Sequence, residues 1–296
     1  MTTVLDYMEY ELDGFQFGGN PNLIATNYLV ERAEFSEPEL EQQDTSRPLE
    51  DGVMFGRDYK RGRTITFTMN ILTHGQSAAQ ALDDLSTVWD ADSVRKSAGS
   101  TSVLRWNRHG RWSRVYGRPR KFAPVTGTVD NGWIPVLCDF RTMDHLYYSD
   151  TEYSNTISIV PPPSGGWVMP FTFPVTAGGI GVQQGEVVIG GTRPAWIASI
   201  INGPITNPTV EATNNWKFQL YTTINKNEFV VVNPRPWSRY VRRNGTTNLR
   251  GAFSADSVRL TDMKLDPGPQ EFILSGTDPS GTASLTTMWR EARTSF

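Results

Sequence analysis

Histidine is the residue type best suited to bind metals or transfer protons near neutral pH, and the chain contains three of them. His74, His109 and His145 lie far apart, and none belongs to an HExxH motif or another close pair. Asp144 next to His145, with Asp139 nearby, is the best candidate for a metal-binding set. Neighbouring residues on a strand point to opposite faces, however. The sequence therefore predicts no metal site.

Nucleophile and phosphate-binding motifs are also missing. The single cysteine, Cys138, lies in the apolar run 134–140, which predicts a small core residue and not a reactive thiol. Gly178 to Gly181 lacks the third glycine of a dinucleotide-binding loop, and no GxSxG or GxxxxGK[ST] motif occurs. The adjacent carboxylates Asp83 and Asp84 are expected on the polar side of a helix. We predict a protein that is not an enzyme and has no cofactor. A cell-wall hydrolase whose two distant acids meet in a cleft stays open as an alternative.

Aromatic residues suggest two kinds of binding. Trp196, Trp216 and Trp237 are candidates for a sugar-stacking platform, as in a carbohydrate-binding host-adhesion module, although alternating aromatics more often form a sandwich core. Trp106 and Trp112 each follow an arginine, a pattern that superficially suits single-stranded nucleic acid. A net charge of -3 and a pI near 5.7 argue against that partner. We expect no specific nucleic-acid binding.

The first half of the chain alternates between strand and helix patterns. Residues 63–72 place Ile, Phe and Met at every second position, the period of a half-buried strand. The apolar face of residues 77–90 recurs at helical spacing and predicts the one helix. Residues 102–108 and 111–117 form a predicted hairpin that turns at His109 and Gly110. A long strand or bent pair is expected over 132–148.

The second half consists of short strand patterns separated by turns rich in Asn, Pro and Gly. We predict strands near residues 186–189, 195–201, 209–212, 216–223, 228–233, 256–260, 270–275 and 283–290. The fold class is therefore mainly β, with two β-sandwich-type domains and a single α-helix in the N-terminal one. The domains are predicted at 1–150 and 151–296, with a linker at about 160–166. Many Pro and Gly residues interrupt the uncharged stretch 153–185, so no membrane anchor is expected, and the N-terminus has no secretory-signal pattern.

Charge is unevenly distributed along the first half. Residues 31–58 carry nine acidic side chains against three arginines, whereas residues 93–129 carry nine basic side chains and no acidic one. These stretches are either two solvated faces or complementary patches that pair between copies of the protein. The second interpretation predicts a subunit interface containing Glu37, Glu39, Glu41, Arg108, Arg111 and Arg114.

The chain resembles the distal tail protein family of long-tailed bacteriophages, also known as siphovirus minor tail proteins. The resemblance rests on structural segments spread over most of the sequence, namely 54–71, 143–150, 191–210 and 281–290. The family often has Asp-Pro where this chain has Asp144 and His145. None of these segments is a catalytic signature.

This resemblance implies an N-terminal β domain that assembles into a ring, commonly a hexamer, at the end of the tail tube. It also implies an outward-facing C-terminal sandwich, similar to galectins or carbohydrate-binding modules. The partners implied are further copies of the chain, the tail-tube protein, and the tail-tip or hub proteins of the baseplate. The implied location is the tail tip of the virion, after assembly in the host cytoplasm. No catalytic residues carry over from the family.

Overall fold

The computed structural model of the chain describes residues 4–19, 27–72, 78–125, 127, 132–159, 185–278 and 280–296. It has two compact units, Met1–Thr151 with Arg293–Phe296, and Glu152–Ala292. Strands dominate both units, which confirms the predicted mainly β fold class. The predicted linker at 160–166, His74 and the glycines at 178–181 lie outside the described residues.

The first unit is built on one antiparallel sheet. The strands of this unit are β1 (Glu9–Leu12), β2 (Phe15–Gly18), β3 (Tyr28–Phe35), β4 (Leu40–Glu41), β5 (Thr45–Ser46), β6 (Val53–Met54), β7 (Tyr59–Lys60), β8 (Thr64–Leu72), β9 (Ser102–Arg108), β10 (Arg111–Pro124), β11 (Trp133–Thr142) and β12 (Tyr147–Ser149). The main sheet has the order β2-β1-β9-β10-β11-β8-β3, and β12 pairs with β10. Two helices lie between β8 and β9, α1 (Ala78–Asp90) and the single turn α2 (Asp92–Arg95).

The core of this unit forms where α1 packs on the sheet. Strand β8 alternates as predicted, and its inward side chains Ile65, Phe67, Met69 and Ile71 are fully buried. Trp89 of α1 is also fully buried, and its ring centroid lies 6.0 Å from that of Phe67. Its indole nitrogen donates to the Asp139 carbonyl oxygen at 3.2 Å. Burial of this apolar helix face, more than intrinsic propensity, stabilises the helix.

The hairpin of β9 and β10 has the register expected from the sequence, with Arg108 opposite Arg111 and Ser102 opposite Gly117. His109 and Gly110, at its turn, have φ values of 52° and 71°. Two left-handed residues in a two-residue connection make the type I′ turn that matches strand twist, and glycine adopts this conformation without steric cost. The hairpin is therefore specified locally.

The second unit is a β-sandwich. Its strands are β13 (Tyr153–Ser158), β14 (Gly185–Ile189), β15 (Ala195–Trp196), β16 (Ala198–Asn202), β17 (Ile205–Ala212), β18 (Trp216–Gln219), β19 (Thr223–Ile224), β20 (Phe229–Asn233), β21 (Tyr240–Arg243), β22 (Thr247–Asn248), β23 (Lys264–Leu265), β24 (Gly268–Thr277) and β25 (Ser284–Trp289). The last strand of the chain, β26 (Ala292–Arg293), is not part of the sandwich, and its Arg293 belongs to the first unit. One sheet has the order β13-β25-β16-β20-β21-β22, and the other has β14-β24-β17-β18 with β19 beside β17. Their inner faces share one apolar core.

One predicted strand is wrong. Residues 256–260 form no strand but a turn that leads into the 3-10 turn Leu260–Asp262. Val258 and Leu260 are nevertheless partly buried against the sandwich core, and the Val258 amide donates to the Lys217 carbonyl oxygen at 2.9 Å. The alternating apolar residues anchor a loop to the core here. Apolar side chains at every second position therefore do not always indicate a strand.

Candidate subunit interface

A β-hairpin arm projects from the first unit between β3 and β8. Every residue from Glu39 to Arg61 is exposed. Two short strand pairs, β4 with β7 and β5 with β6, hold the arm in hairpin form. Such an extended hairpin buries little surface of its own, so its order depends on local polar contacts.

Polar contacts at the base of the arm are ion pairs within the chain. The two terminal nitrogens of the Arg141 guanidinium, Nη1 and Nη2, donate to the Glu39 carboxylate at 2.9 and 2.6 Å. Arg61 donates to Glu41 at 2.9 and 3.0 Å. Hydrogen bonding to Arg141 lowers the pKa of Glu39 below its usual value. Two of the three acidic residues predicted for the interface therefore already have partners, and Glu37 remains exposed.

Further along, the two sides of the arm approach closely at Gly56. Its amide donates to the Asp44 carboxylate at 3.0 Å. A Cβ atom at position 56 would lie 1.9 Å from the Gln43 carbonyl oxygen, which no side chain can tolerate. Glycine is thus required for this crossing, and the distal half of the arm is held in a defined path.

The arm exposes apolar side chains to solvent. The largest exposed fractions are 105% for Leu49 and 90% for Phe55, followed by 58% for Met54. Val53, Leu40 and Tyr59 are also exposed. A segment that exposes this many large apolar groups is a candidate site for contact with another protein. Sequence reasoning missed these residues as interface candidates, although the run 53–55 stands out as apolar within an acidic stretch.

The basic residues of the β9–β10 hairpin have very different environments. Arg105 is buried and donates to Asp150 at 2.7 and 2.9 Å and to Glu11 at 2.8 Å. Arg114, predicted for the interface, donates to the same Asp150 carboxylate at 2.8 and 2.5 Å. Burial alone would raise the pKa of Asp150, but the hydrogen bonds and charges of the two arginines outweigh it and lower the pKa. Arg114 is thus part of the internal structure of the unit.

Arg108 and Arg111 lie nearer the surface. The Arg108 guanidinium is 5.8 Å from the ring centroid of Phe35 and 5.4 Å from that of Phe296, which itself stacks on Phe35 at 4.7 Å. Arg111 is exposed, with a marginal 3.5 Å contact to the Phe296 carbonyl oxygen. Phe296 is 44% exposed. These residues form a partly apolar, positively charged surface.

Two of the three candidate sugar-stacking tryptophans are buried. Trp196 and Trp216 are each 8% exposed. The ammonium of Lys264 lies 4.2 Å from the Trp196 ring centroid, and the Trp216 indole nitrogen donates to the Lys264 carbonyl oxygen at 3.0 Å. Trp237 is half-buried. Neither buried ring offers an open face to a sugar, because both belong to the packed interior.

A pair of carboxylates bears on the hydrolase alternative. Glu186 and Glu271 face each other across β14 and β24 and line a pocket of about 370 Å³ with Thr213, Asn215 and Gln270. The Thr213 hydroxyl donates to Glu271 at 2.9 Å, while Glu186 is exposed. A glycosidase acid depends on burial to raise its pKa. An exposed Glu186 lacks that environment.

Other sites expected from the sequence can be located. Cys138 is fully buried in β11, as predicted, and burial raises the pKa of its thiol. His109 lies at the hairpin turn and His145 in the loop before β12. Within the described ranges, no three His, Cys, Asp or Glu side chains are placed to hold a metal ion. Nor does any helix there have the length and apolar character needed to cross a membrane.

Comparison with known proteins gave matches among solved structures only. No protein-family model and no curated protein matches the sequence. The crystal structure of the Dit protein (gp 19.1) of SPP1 matches with a TM-score of 0.62 and 11% sequence identity, over 96% of this chain and 98% of that one. The chain has the fold of the SPP1 distal tail protein. That protein is described as a paradigm of the hub adsorption apparatus in phages that infect Gram-positive bacteria.

The SPP1-type fold also occurs in the baseplate of phage P2. Two structures of this baseplate in its activated conformation, with calcium and with strontium, match with TM-scores of 0.57 and 0.56. Each has 11% identity and covers 95% of this chain and 97% of the other. The resemblance to distal tail proteins found in the sequence is therefore confirmed at the level of fold.

Proposed function

We propose that this chain is a non-catalytic structural subunit of the tail tip of a long-tailed bacteriophage. The supporting observation is the fold shared with a distal tail hub protein, which extends over nearly the whole of both chains. In this proposal the protein is located at the virion tail tip and assembles in the host cytoplasm. Its partners are the tail-tube protein on one side and tail-tip, hub or other baseplate proteins on the other.

The subunits form a closed ring, a hexamer in this proposal, through the first unit. A ring needs a heterologous contact, in which one surface of each copy meets a different surface of the next. The arm of residues 39–61 supplies the first of these surfaces, because it exposes Leu49 and Phe55 to solvent in the free chain. Burying both side chains would contribute roughly 1.5–3 kcal/mol each.

Charged residues orient this contact and contribute less to its strength. Of the six predicted for it, Glu37 and Arg111 are exposed and Arg108 is half-buried, so these can face a neighbouring copy. Glu39, Glu41 and Arg114 take part through ion pairs that hold the arm and the hairpin in place. Exposed pairs contribute about 0–1 kcal/mol each and are screened by salt.

The oligomeric state of the purified chain and of two arm variants tests the proposal. We expect rings in negative-stain images and native mass spectra of the wild type at high concentration. Leu49→Ser and Phe55→Ser should weaken or abolish them while leaving the thermal unfolding of the monomer, measured at low protein concentration, unchanged. Val188→Ser is the matched control, since Val188 is an exposed apolar residue in the other unit, at 73%. A chain that stays monomeric up to its solubility limit, or rings unaffected by both variants, would contradict the proposed contact.

A further inference from the structure

The second unit contains a concave pocket whose lining is positively charged. Its volume is about 460 Å³, within the range of about 300–1,000 Å³ typical of small-molecule sites. Its lining includes three arginines, Arg239, Arg250 and Arg259, and no Asp or Glu. No Asp or Glu among the described residues lies within ion-pair distance of these three guanidinium groups.

Two of the arginines are held in place by backbone oxygens. The Nε atom of Arg239 donates to the Pro234 carbonyl oxygen at 3.0 Å, and an Nη atom of Arg250 donates to the Arg239 carbonyl oxygen at 2.8 Å. A guanidinium has five N–H donors, so each anchored side chain keeps donors for a ligand. Anchoring before binding reduces the ordering cost that a ligand would otherwise have to offset.

Apolar side chains form the floor of the pocket. Phe253, Val258 and Leu260 are packed against the sandwich core, and the Phe253 ring centroid lies 5.6 Å from that of Phe218. The Ser257 hydroxyl is fixed between the Gln219 amide, at 2.9 Å, and the Ser254 hydroxyl, at 3.0 Å. A ligand thus meets three cations at the rim and a preformed carbon surface below them.

We propose that this pocket binds a phosphate ester of a small polyol or sugar. A phosphate group offers several oxygens and as many as two negative charges, which suits multiple guanidinium forks better than the single charge of a carboxylate. The apolar floor matches the carbon skeleton of the polyol or sugar, a part that inorganic phosphate lacks. The pocket lined by Glu186 and Glu271, in the same unit, would repel such a ligand.

Calorimetric titration of the full-length chain at fixed ionic strength tests this assignment. The probes are glycerol 3-phosphate, inorganic phosphate, glycerol and glucuronate. We expect glycerol 3-phosphate to bind most tightly and glycerol not to bind. Arg250→Gln combined with Arg259→Gln should weaken binding roughly tenfold or more, because charge-assisted hydrogen bonds are lost. Arg259→Gln alone should also weaken binding, and this substitution leaves the anchored Arg239 and Arg250 intact.

Arg193→Gln is the matched control, because Arg193 is exposed in the same unit and does not line the pocket. It should leave the affinity nearly unchanged. Absence of binding, equal weakening by the control, or glucuronate binding as tight as glycerol 3-phosphate would each overturn the assignment. Inorganic phosphate binding as tightly as the ester would overturn the role of the apolar floor. The affinity for glycerophosphoglycerol, which is a phosphodiester, then separates two sources of the ester. Binding tighter than that of glycerol 3-phosphate indicates a phosphodiester polymer, and weaker binding indicates a free metabolite.

Discussion

Replacing Asp150 with asparagine should strongly destabilise the first unit. Asp150 accepts hydrogen bonds from Arg105 and Arg114 at 2.5–2.9 Å, and its side chain is 12% exposed. The substitution keeps the size of the side chain but removes the charge that the two guanidiniums share. Removing one partner from a buried ion pair typically costs about 3–5 kcal/mol.

The expected loss lies at the lower end of that range. Arg105 retains Glu11 at 2.8 Å, and the pair is almost fully buried, with 7% and 10% of the side chains exposed. Arg114 is 14% exposed, so water can partly solvate its charge. We therefore expect the free energy of unfolding to fall by about 3 kcal/mol.

The pH dependence of this loss has a definite sign. Because the pKa of Asp150 is lower in the folded protein than in the unfolded chain, the ion pairs stabilise the fold above the ordinary pKa of about 4. This stabilisation disappears as the pH falls through the lowered pKa of the folded state. The difference in the free energy of unfolding between wild type and Asp150→Asn should thus have its full value at pH 7 and shrink in strongly acidic buffer.

Urea denaturation followed by circular dichroism measures the effect. Glu39→Gln is the control, because Glu39 is also paired with an arginine, Arg141, but is 59% exposed, and its loss should change stability little. The two units can unfold in separate steps, so the affected transition must be the one that a core variant of the first unit also shifts. A decrease of less than about 1 kcal/mol for Asp150→Asn would mean that the buried network contributes no more than an exposed pair, and the reasoning would be refuted.

Three further predictions concern the core, the chemistry and the domain division. Leu85→Ala, at a fully buried position of α1, should lower the free energy of unfolding by roughly 2–5 kcal/mol and shift the same urea transition as Asp150→Asn. The purified protein should not hydrolyse cell wall or polysaccharide, and turnover lost in Glu186→Gln or Glu271→Gln would disprove this. If two domains meet near residue 150, a broad-specificity protease should cut first in loops around residues 150–190 and release two stable fragments; initial cleavage within 63–92 would argue against this division.

The elements predicted best are those that local periodicity specifies. Strand β8, helix α1 and the β9–β10 hairpin each follow from the spacing of apolar residues or from the turn at His109 and Gly110. The 256–260 segment shows the limit of this approach. Val258 and Leu260 alternate as in a strand but anchor a loop to the core.

The environment of Arg105 could not be predicted from the sequence for a different reason. Strand alternation places the side chains of Arg105 and Trp106 on opposite faces of β9, yet both residues are buried. The partners of Arg105 are Glu11 and Asp150, which are 94 and 45 residues away in the chain. The sheet order places β1 beside β9 and β12 beside β10, and this brings Glu11 and Asp150 within hydrogen-bonding distance of Arg105.

The same non-local pairing changes the interpretation of the charge segregation. Among the described residues, no ion pair joins the acidic stretch 31–58 to the basic stretch 93–129. Within the basic stretch, Arg105 and Arg114 are neutralised by acids from elsewhere, and Arg118 donates to the Ser97 and Ser100 carbonyl oxygens at 2.7 and 2.8 Å.

Fewer basic groups therefore remain for a neighbouring copy than the count of charges indicates. Arg111, Arg120 and Lys121 are the exposed ones on β10. Surface pairs of this kind weaken with salt, whereas burial of apolar side chains such as Leu49 and Phe55 does not depend on screening. If the arm provides most of the binding energy and the remaining charges set only its orientation, ring assembly should persist at high ionic strength and fail when the apolar side chains of the arm are removed.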